Sequence, residues 1–291
     1  MKPFSIISVA VILSALAAYS TVKLTSSKSK AETDQQSVYD RVMQTGTINC
    51  GYLVWPPFFD KDANTGKLSG VIYDVTESIA KNLSLKVNWK EETGISDFPA
   101  ALNNNRIDAY CAPIGILAAR ARASDWVGPV IYGKVSGYVR IDDNRFDIDR
   151  SKLDDPSITF STLDGEASDV LSRTLFPNAK KLQLQQLAAS TQLMLNVVDK
   201  KADIVLADDA TAETFFKSNP GRLKLLPGEP IGTFGIGMPV KQGEEKFRQM
   251  INWAIFDMQN NSQMEMIFKK YSLDPVTWLR PVKSYIFEDK K

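Results

Sequence analysis

Along residues 38–271, apolar and polar positions switch repeatedly between two periods. Short apolar runs bounded by Gly, Pro, Asn or Asp predict strands at 47–53, 85–90 and 107–116. Residues 38–44 read as a short helical lead-in. Val75, Ile79, Ala80 and Leu83 recur at helical spacing, with Asp74 placed to cap the helix. Phe98, Ala101 and Leu102 mark a second helix within 94–104. Strand, helix, strand, helix, strand is the pattern of an α/β unit with a parallel sheet. Residues 130–141 read as extended and cross into a second region, and 145–156 is polar, a surface loop or linker helix. The pattern then restarts. Strands at 158–161, 181–184, 202–207 and 223–226 alternate with helices at 167–175, 190–198 and 211–217. An apolar, glycine-rich run follows at 231–239. Residues 244–270 form one long helical region, with a break near Asn260-Asn261 and Met250, Ile251, Ala254, Ile255 and Met258 on its buried face. Residues 272–291 are a tail carrying Trp278, Pro281 and Tyr285. Two α/β units in series predict a two-lobed molecule.

Ahead of this pattern, residues 4–19 are apolar and uncharged after Lys2, and Ala15-Leu-Ala17 is a small-x-small cleavage pattern. Residues 1–18 therefore read as a secretory signal, with an uncleaved anchor as the alternative. Residues 19–37 form a polar linker.

Composition removes many function classes. With 35 basic and 34 acidic side chains the net charge is +1, and no field points to nucleic acid or an anionic membrane. There is no histidine, which excludes Ser-His-Asp and Cys-His nucleophiles and the usual His-containing zinc sites. Two cysteines alone cannot cage a metal, and no GxGxxG or GxxxxGK[ST] loop occurs. No metal and no cofactor is expected.

Chemistry gathers after the strand at 107–116. The run breaks at Pro113 and Gly115, and small residues lead to Arg120. A guanidinium past the C-terminal end of a buried strand lies where open α/β sheets bind ligands. It can grip a carboxylate through two parallel hydrogen bonds and keeps its charge. A surface arginine capping a turn is the alternative.

Several motifs in order resemble the periplasmic solute-binding proteins of ABC importers, family 3, in the branch that mostly carries amino acids. They are Asn49-Cys-Gly-Tyr-Leu-Val-Trp-Pro-Pro-Phe58, Gly70-Val-Ile-Tyr-Asp74, Ala101-Leu-Asn-Asn-Asn-Arg-Ile-Asp108, Arg120 with Asp125-Trp-Val-Gly-Pro129, and Ala202-Asp-Ile-Val-Leu-Ala-Asp208. The resemblance implies an α/β, type II periplasmic-binding fold. Each lobe would be a mostly parallel sheet flanked by helices, with hinges near 130–138 and 231–235. Lobe 1 would comprise 38–133 and 234–291, and lobe 2 would comprise 134–233. It implies that Arg120 holds a ligand carboxylate, Asp208 an ammonium group, and Trp55 the ligand side chain. A helix start near Asp164, Gly165 and Glu166 would offer backbone N–H groups. Tyr52, Ala112, Pro113 and Gly115 complete the expected ligand-binding set. The implied partners are a small polar solute, by family an amino acid, and a membrane ABC permease, with the protein a periplasmic monomer and no catalyst. A dehydratase on the same scaffold, with Glu166 or Asp164 as general acid, and an anchored sensor are the alternatives.

Some positions depart from the family. Gly115 and Leu117 stand where Thr or Ser hydroxyls usually help hold a carboxylate, and Pro113 replaces a common Gly. Asp164 beside a carboxylate is unfavourable unless the ligand carries extra positive charge. Asp208 can instead cap the following helix, and Asp209 competes with it. Cys50 and Cys111 fall on strands expected to be neighbours, where a disulfide and two buried thiols are both open.

Overall fold

The computed structural model describes residues 36–185, 190–273, 275 and 278–281. The expected signal at 1–18, nearly all of the polar linker, and Tyr285 lie outside the described residues. The chain divides into an N-terminal unit, Met1–Thr45, and a main unit, Gly46–Lys291. The first holds helix α1 (Val38–Thr45). The Asp40 N–H donates to Ser37 Oγ at 3.0 Å, and the Ser37 hydroxyl donates back to the Asp40 carboxylate at 2.8 Å. That reciprocal pair satisfies a donor at the helix start.

In the main unit the elements follow as β1 (Thr47–Tyr52), β2 (Asp60–Lys61), β3 (Leu68–Ser69), α2 (Val71–Asn82), β4 (Lys86–Glu92), α3 (Phe98–Asn103), β5 (Ala109–Tyr110), β6 (Ile114–Gly115) and β7 (Asp125–Arg140). Then come β8 (Thr159–Leu163), α4 (Ala167–Leu175), β9 (Lys180–Leu184), α5 (Ser190–Val198), β10 (Ile204–Asp208), α6 (Asp209–Ser218) and β11 (Leu223–Leu225). The last are β12 (Gly232–Val240), α7 (Glu245–Asn260), α8 (Gln263–Lys270) and β13 (Trp278–Leu279). Strand order in the main sheet is β4-β1-β5-β12-β7-β10-β8-β9. Pairing is parallel at both ends, β4-β1-β5 and β10-β8-β9, and antiparallel through β12 and β7. Those two parallel blocks are the two lobes. The long antiparallel ladder from Asp125↔Val240 to Val135↔Gly232 joins them.

Period-two burial builds the second lobe. Ile204 and Leu206 face one core with Phe160, Val135 and Leu226. Val205, between them, faces another with Leu163, Met194, Tyr138 and Phe215. In the first lobe Phe98, Leu102, Ile107 and Tyr110 pack together, with the Phe98 and Tyr110 rings stacked at 5.0 Å.

Three local expectations change. The single strand at 107–116 is two short ones, β5 and β6. Pro113 has no N–H to continue a ladder, and the Ile114 N–H turns back to the Ala112 carbonyl at 2.8 Å. Asp74 does not cap α2. The helix starts at Val71 after Gly70, whose φ of 122° and lack of room suit only glycine: a Cβ would come within 2.5 Å of the Phe58 carbonyl oxygen. Asp74 lies in the first turn and pairs with Lys270 at 2.6 Å. The break expected near Asn260-Asn261 is present: α7 ends at Asn260 and α8 begins after Ser262, whose φ is 69°. The tail contributes a strand, β13, antiparallel to β7.

Cys50 on β1 and Cys111 just past β5 form a disulfide, with Cα atoms 5.5 Å apart. The bond closes a loop across 61 residues of sequence, which restricts the unfolded chain and stabilises the fold by about 4 kcal/mol.

Candidate functional site

Between the lobes lies a cleft, partly open to solvent. Lobe 1 lines it with Leu53, Trp55, Phe58, Ile95, Pro113, Ile114, Gly115 and Arg120. Lobe 2 supplies Glu166, Ala167 and Asp208. Phe234 and Ile236 come from β12, and Trp278 from β13. An apolar, aromatic wall surrounding a few charged groups is the usual make-up of a small-molecule site.

Trp55 stands at the head of a tight turn. Its N–H donates to the Phe59 carbonyl at 2.7 Å, and the Phe58 N–H donates back to the Trp55 carbonyl at 2.9 Å. The Pro56–Pro57 bond within this turn is cis. Arg120 opens a single 3-10 turn, Arg120–Arg122. Its Nη1 donates to the Gly115 carbonyl at 2.8 Å and its Nη2 to the Gly165 carbonyl at 2.7 Å. The second bond crosses from lobe 1 to lobe 2. Burial lowers the Arg120 pKa while Glu166 raises it, and a guanidinium stays charged throughout.

Both lobe-2 carboxyls sit where a strand or turn runs into a helix. Glu166 caps α4: it accepts from the Ser168 N–H at 3.1 Å and from the Ser168 hydroxyl. Asp208 ends β10 and caps α6, accepting from the Thr211 N–H at 2.9 Å and its hydroxyl at 2.7 Å. Burial pushes both acids above the usual carboxylate range, and each cap bond pulls the other way. The charge of Asp208 pushes Glu166 up further, and Arg120 draws it down. The site thus pairs one fixed cation with two acids whose charged forms are partly starved of water.

The expected residues separate into three groups. Arg120, Asp208, Trp55, Pro113 and Gly115 stand together on the cleft wall. Gly165 meets the site through its carbonyl, bonded to Arg120. Asp164, Tyr52 and Ala112 stand off the wall. The Asp164 side chain is exposed and accepts from Gln183 Nε2 at 2.7 Å. Tyr52 is buried, its ring stacked on Phe59 at 5.0 Å, and Ala112 is fully buried. The helix start at 164–166 also differs from expectation. The α4 N-terminus, which would offer N–H groups to an anion, already holds its own Glu166 carboxylate. Asp209, the competing acid, accepts from the Tyr138 hydroxyl at 2.8 Å.

Glu166, Phe58, Phe234 and Trp278 are cleft residues that the expected binding set lacks. Glu is not among the usual N-cap residues, so residue type alone favours Asp164 over Glu166 there. Nothing local marks Phe234 or Trp278, since each reaches the cleft only through pairing with β7.

Among curated proteins, a probable histidine-binding protein of Campylobacter jejuni is 25% identical over 226 residues, covering 76% of this chain and 82% of that one. A probable amino-acid-binding protein of Bacillus subtilis is 22% identical over 282 residues, covering 95% and 97%. Both are described as binding proteins. Among solved structures, an ancestral amino acid-binding protein described as a precursor of cyclohexadienyl dehydratase superposes with a TM-score of 0.68 at 21% identity, covering 81% of this chain and 99% of that one. That likeness fixes the two-lobed fold. The family model for bacterial extracellular solute-binding proteins, family 3, matches residues 48–274.

Proposed function

This chain belongs to the bacterial extracellular solute-binding proteins of family 3, and from that premise we propose that it captures an amino acid or similar small polar zwitterion between its lobes for delivery to a membrane ABC permease. One observation carries the reading. Arg120 from one lobe and Asp208 and Glu166 from the other line a single cleft walled by Trp55, Phe58 and Phe234. A zwitterion needs one fixed cation, one fixed anion and an apolar surface between them.

In this reading the ligand carboxylate takes the place of the Gly165 carbonyl on the Arg120 fork. There an ionised acceptor replaces a neutral carbonyl as the partner of the guanidinium. Asp208 accepts from the ligand ammonium with the lone pairs its cap bonds leave. Glu166 makes a second carboxyl against one guanidinium, and it fills the helix start that would hold a carboxylate. Both features favour a ligand with more positive than negative charge, such as lysine or arginine. The lobes meet at crossings near 133/134 and 233/234, and β7 and β12 are the hinge. Export to the periplasm rests on the segment at 1–18, removed or kept as an anchor, and the protein acts as a monomer. Glu166 is engaged as the α4 cap, so its burial lends a dehydratase no separate support.

The test is a thermal-shift panel of the twenty standard amino acids. At least one, and a basic one first, raises the midpoint; a panel with no rise removes the amino-acid reading. Arg120→Ala abolishes the shift. A shift of unchanged size in that variant removes the role given to Arg120.

A further inference from the structure

The family match ends at residue 274. Past it the chain adds β13, and β13 carries an indole into the cleft. Trp278 pairs with Gly133, and Leu279 with Tyr132, on β7. These β7 residues lie where the chain passes from one lobe to the other. Trp278 is 3% exposed, stands on the cleft wall, and meets Phe58 edge-on with ring centroids 4.6 Å apart. Its other side fills the space over Gly133. A Cβ on Gly133 would come within 2.9 Å of the Trp278 ring and 2.8 Å of Phe234. Two aromatic side chains therefore meet over bare backbone, at a position where any side chain would push them apart.

The segment is anchored. Arg280 Nη1 donates to the Trp278 carbonyl at 2.7 Å, and its Nη2 to the Leu273 carbonyl at 2.8 Å. Its Nε pairs with Glu265 on α8 at 2.9 Å, and its guanidinium lies over the Phe268 ring at 4.5 Å. Those contacts fix residue 280 against lobe 1, and with it the register of Trp278 on the hinge strand.

We propose that β13 is a working part of the binding device. Trp278 is a ligand-contacting wall that the family's matched span does not supply, and its seat on residues 132–133 ties that wall to the hinge. An indole face suits an apolar or cationic ligand side chain. The ligand half of the proposal rests on the amino-acid reading above; the hinge half does not.

Full-length wild type, Trp278→Ala and Trp278→Phe are titrated calorimetrically with the twenty standard amino acids. Trp253→Ala, on the exposed face of α7, is the control. The amino acid that wild type binds loses about tenfold or more in affinity with alanine, keeps most of it with phenylalanine, and is unaffected by the control. Unchanged affinity in Trp278→Ala overturns the proposal. Trp278→Leu, which keeps apolar volume without the ring, replaces alanine if that variant fails to fold. Amide hydrogen exchange without ligand reads the hinge half: exchange at residues 132–133 speeds up in Trp278→Ala. Should wild type bind none of the twenty, the amino-acid reading falls, and the exchange arm alone decides: unchanged protection at 132–133 overturns the proposal.

Discussion

Arg120 gives one arm of its guanidinium to Gly115 in its own lobe and the other to Gly165 across the cleft. Glu166 stands beside that crossing with its carboxyl pushed up by burial. A raised folded-state pKa means the native protein holds its proton more tightly than the unfolded chain. Stability from that proton is present below the unfolded value, near pH 4, and is lost as pH rises through the folded value. Glu166→Gln removes the ionisation and keeps an oxygen for the Ser168 cap. The unliganded variant is therefore expected to melt higher than wild type at about pH 7, with the gap closing near about pH 4. Thermal melts across that range check it, and a gap independent of pH would sink it. At this scale the sequence leaves Arg120 between a ligand contact and a surface arginine capping a turn, and the structure sets it on the cleft wall. The sequence marks the lobe-2 acid poorly. Asp164 and Glu166 flank one glycine, and only the turn decides that Asp164 points to Gln183 while Glu166 points inward.

Helices α4 and α6 begin with cleft acids used as caps, so these residues have an element-scale role as well. Asp208→Ala removes the α6 cap and is expected to lower stability by about 1 kcal/mol. Asp208→Asn keeps the cap and drops a carboxyl that burial disfavours, so its stability is expected to match or exceed wild type at neutral pH. Urea unfolding of the two variants distinguishes them. Both are expected to lose the ligand-induced thermal shift, and a retained shift in Asp208→Asn would show the charge is not used. The alternation of elements was legible, since periods of two and 3.6 separate strands from helices. Their ends were less so. Pro113 splits a run that reads as one strand into β5 and β6. Asp74 looks like a cap by residue type but sits inside the first turn, because Gly70 occupies the conformation that starts the helix.

For the whole molecule, the ladder of β7 and β12 connects the two parallel blocks, and in the proposed reading the lobes turn through it. A ligand favours the closed arrangement only by contacting both lobes. The amino acid found in the thermal panel is therefore expected to reduce the radius of gyration of wild type in small-angle scattering. Arg120→Ala, which loses the lobe-1 contact, is expected to show no change. A reduction of equal size in both would separate closure from that contact.

The sequence by itself determined the two α/β units, their order, and the two strand ends that carry Arg120 and Asp208. Those follow from periodicity and local chemistry, which act over a few residues. Tertiary structure alone decided the rest. It joined Cys50 to Cys111, turned Asp164 out and Glu166 in, and laid Trp278 against Gly133. Each of these depends on which strands become neighbours. That is set by how whole faces bury against one another, so no short stretch of the chain contains it.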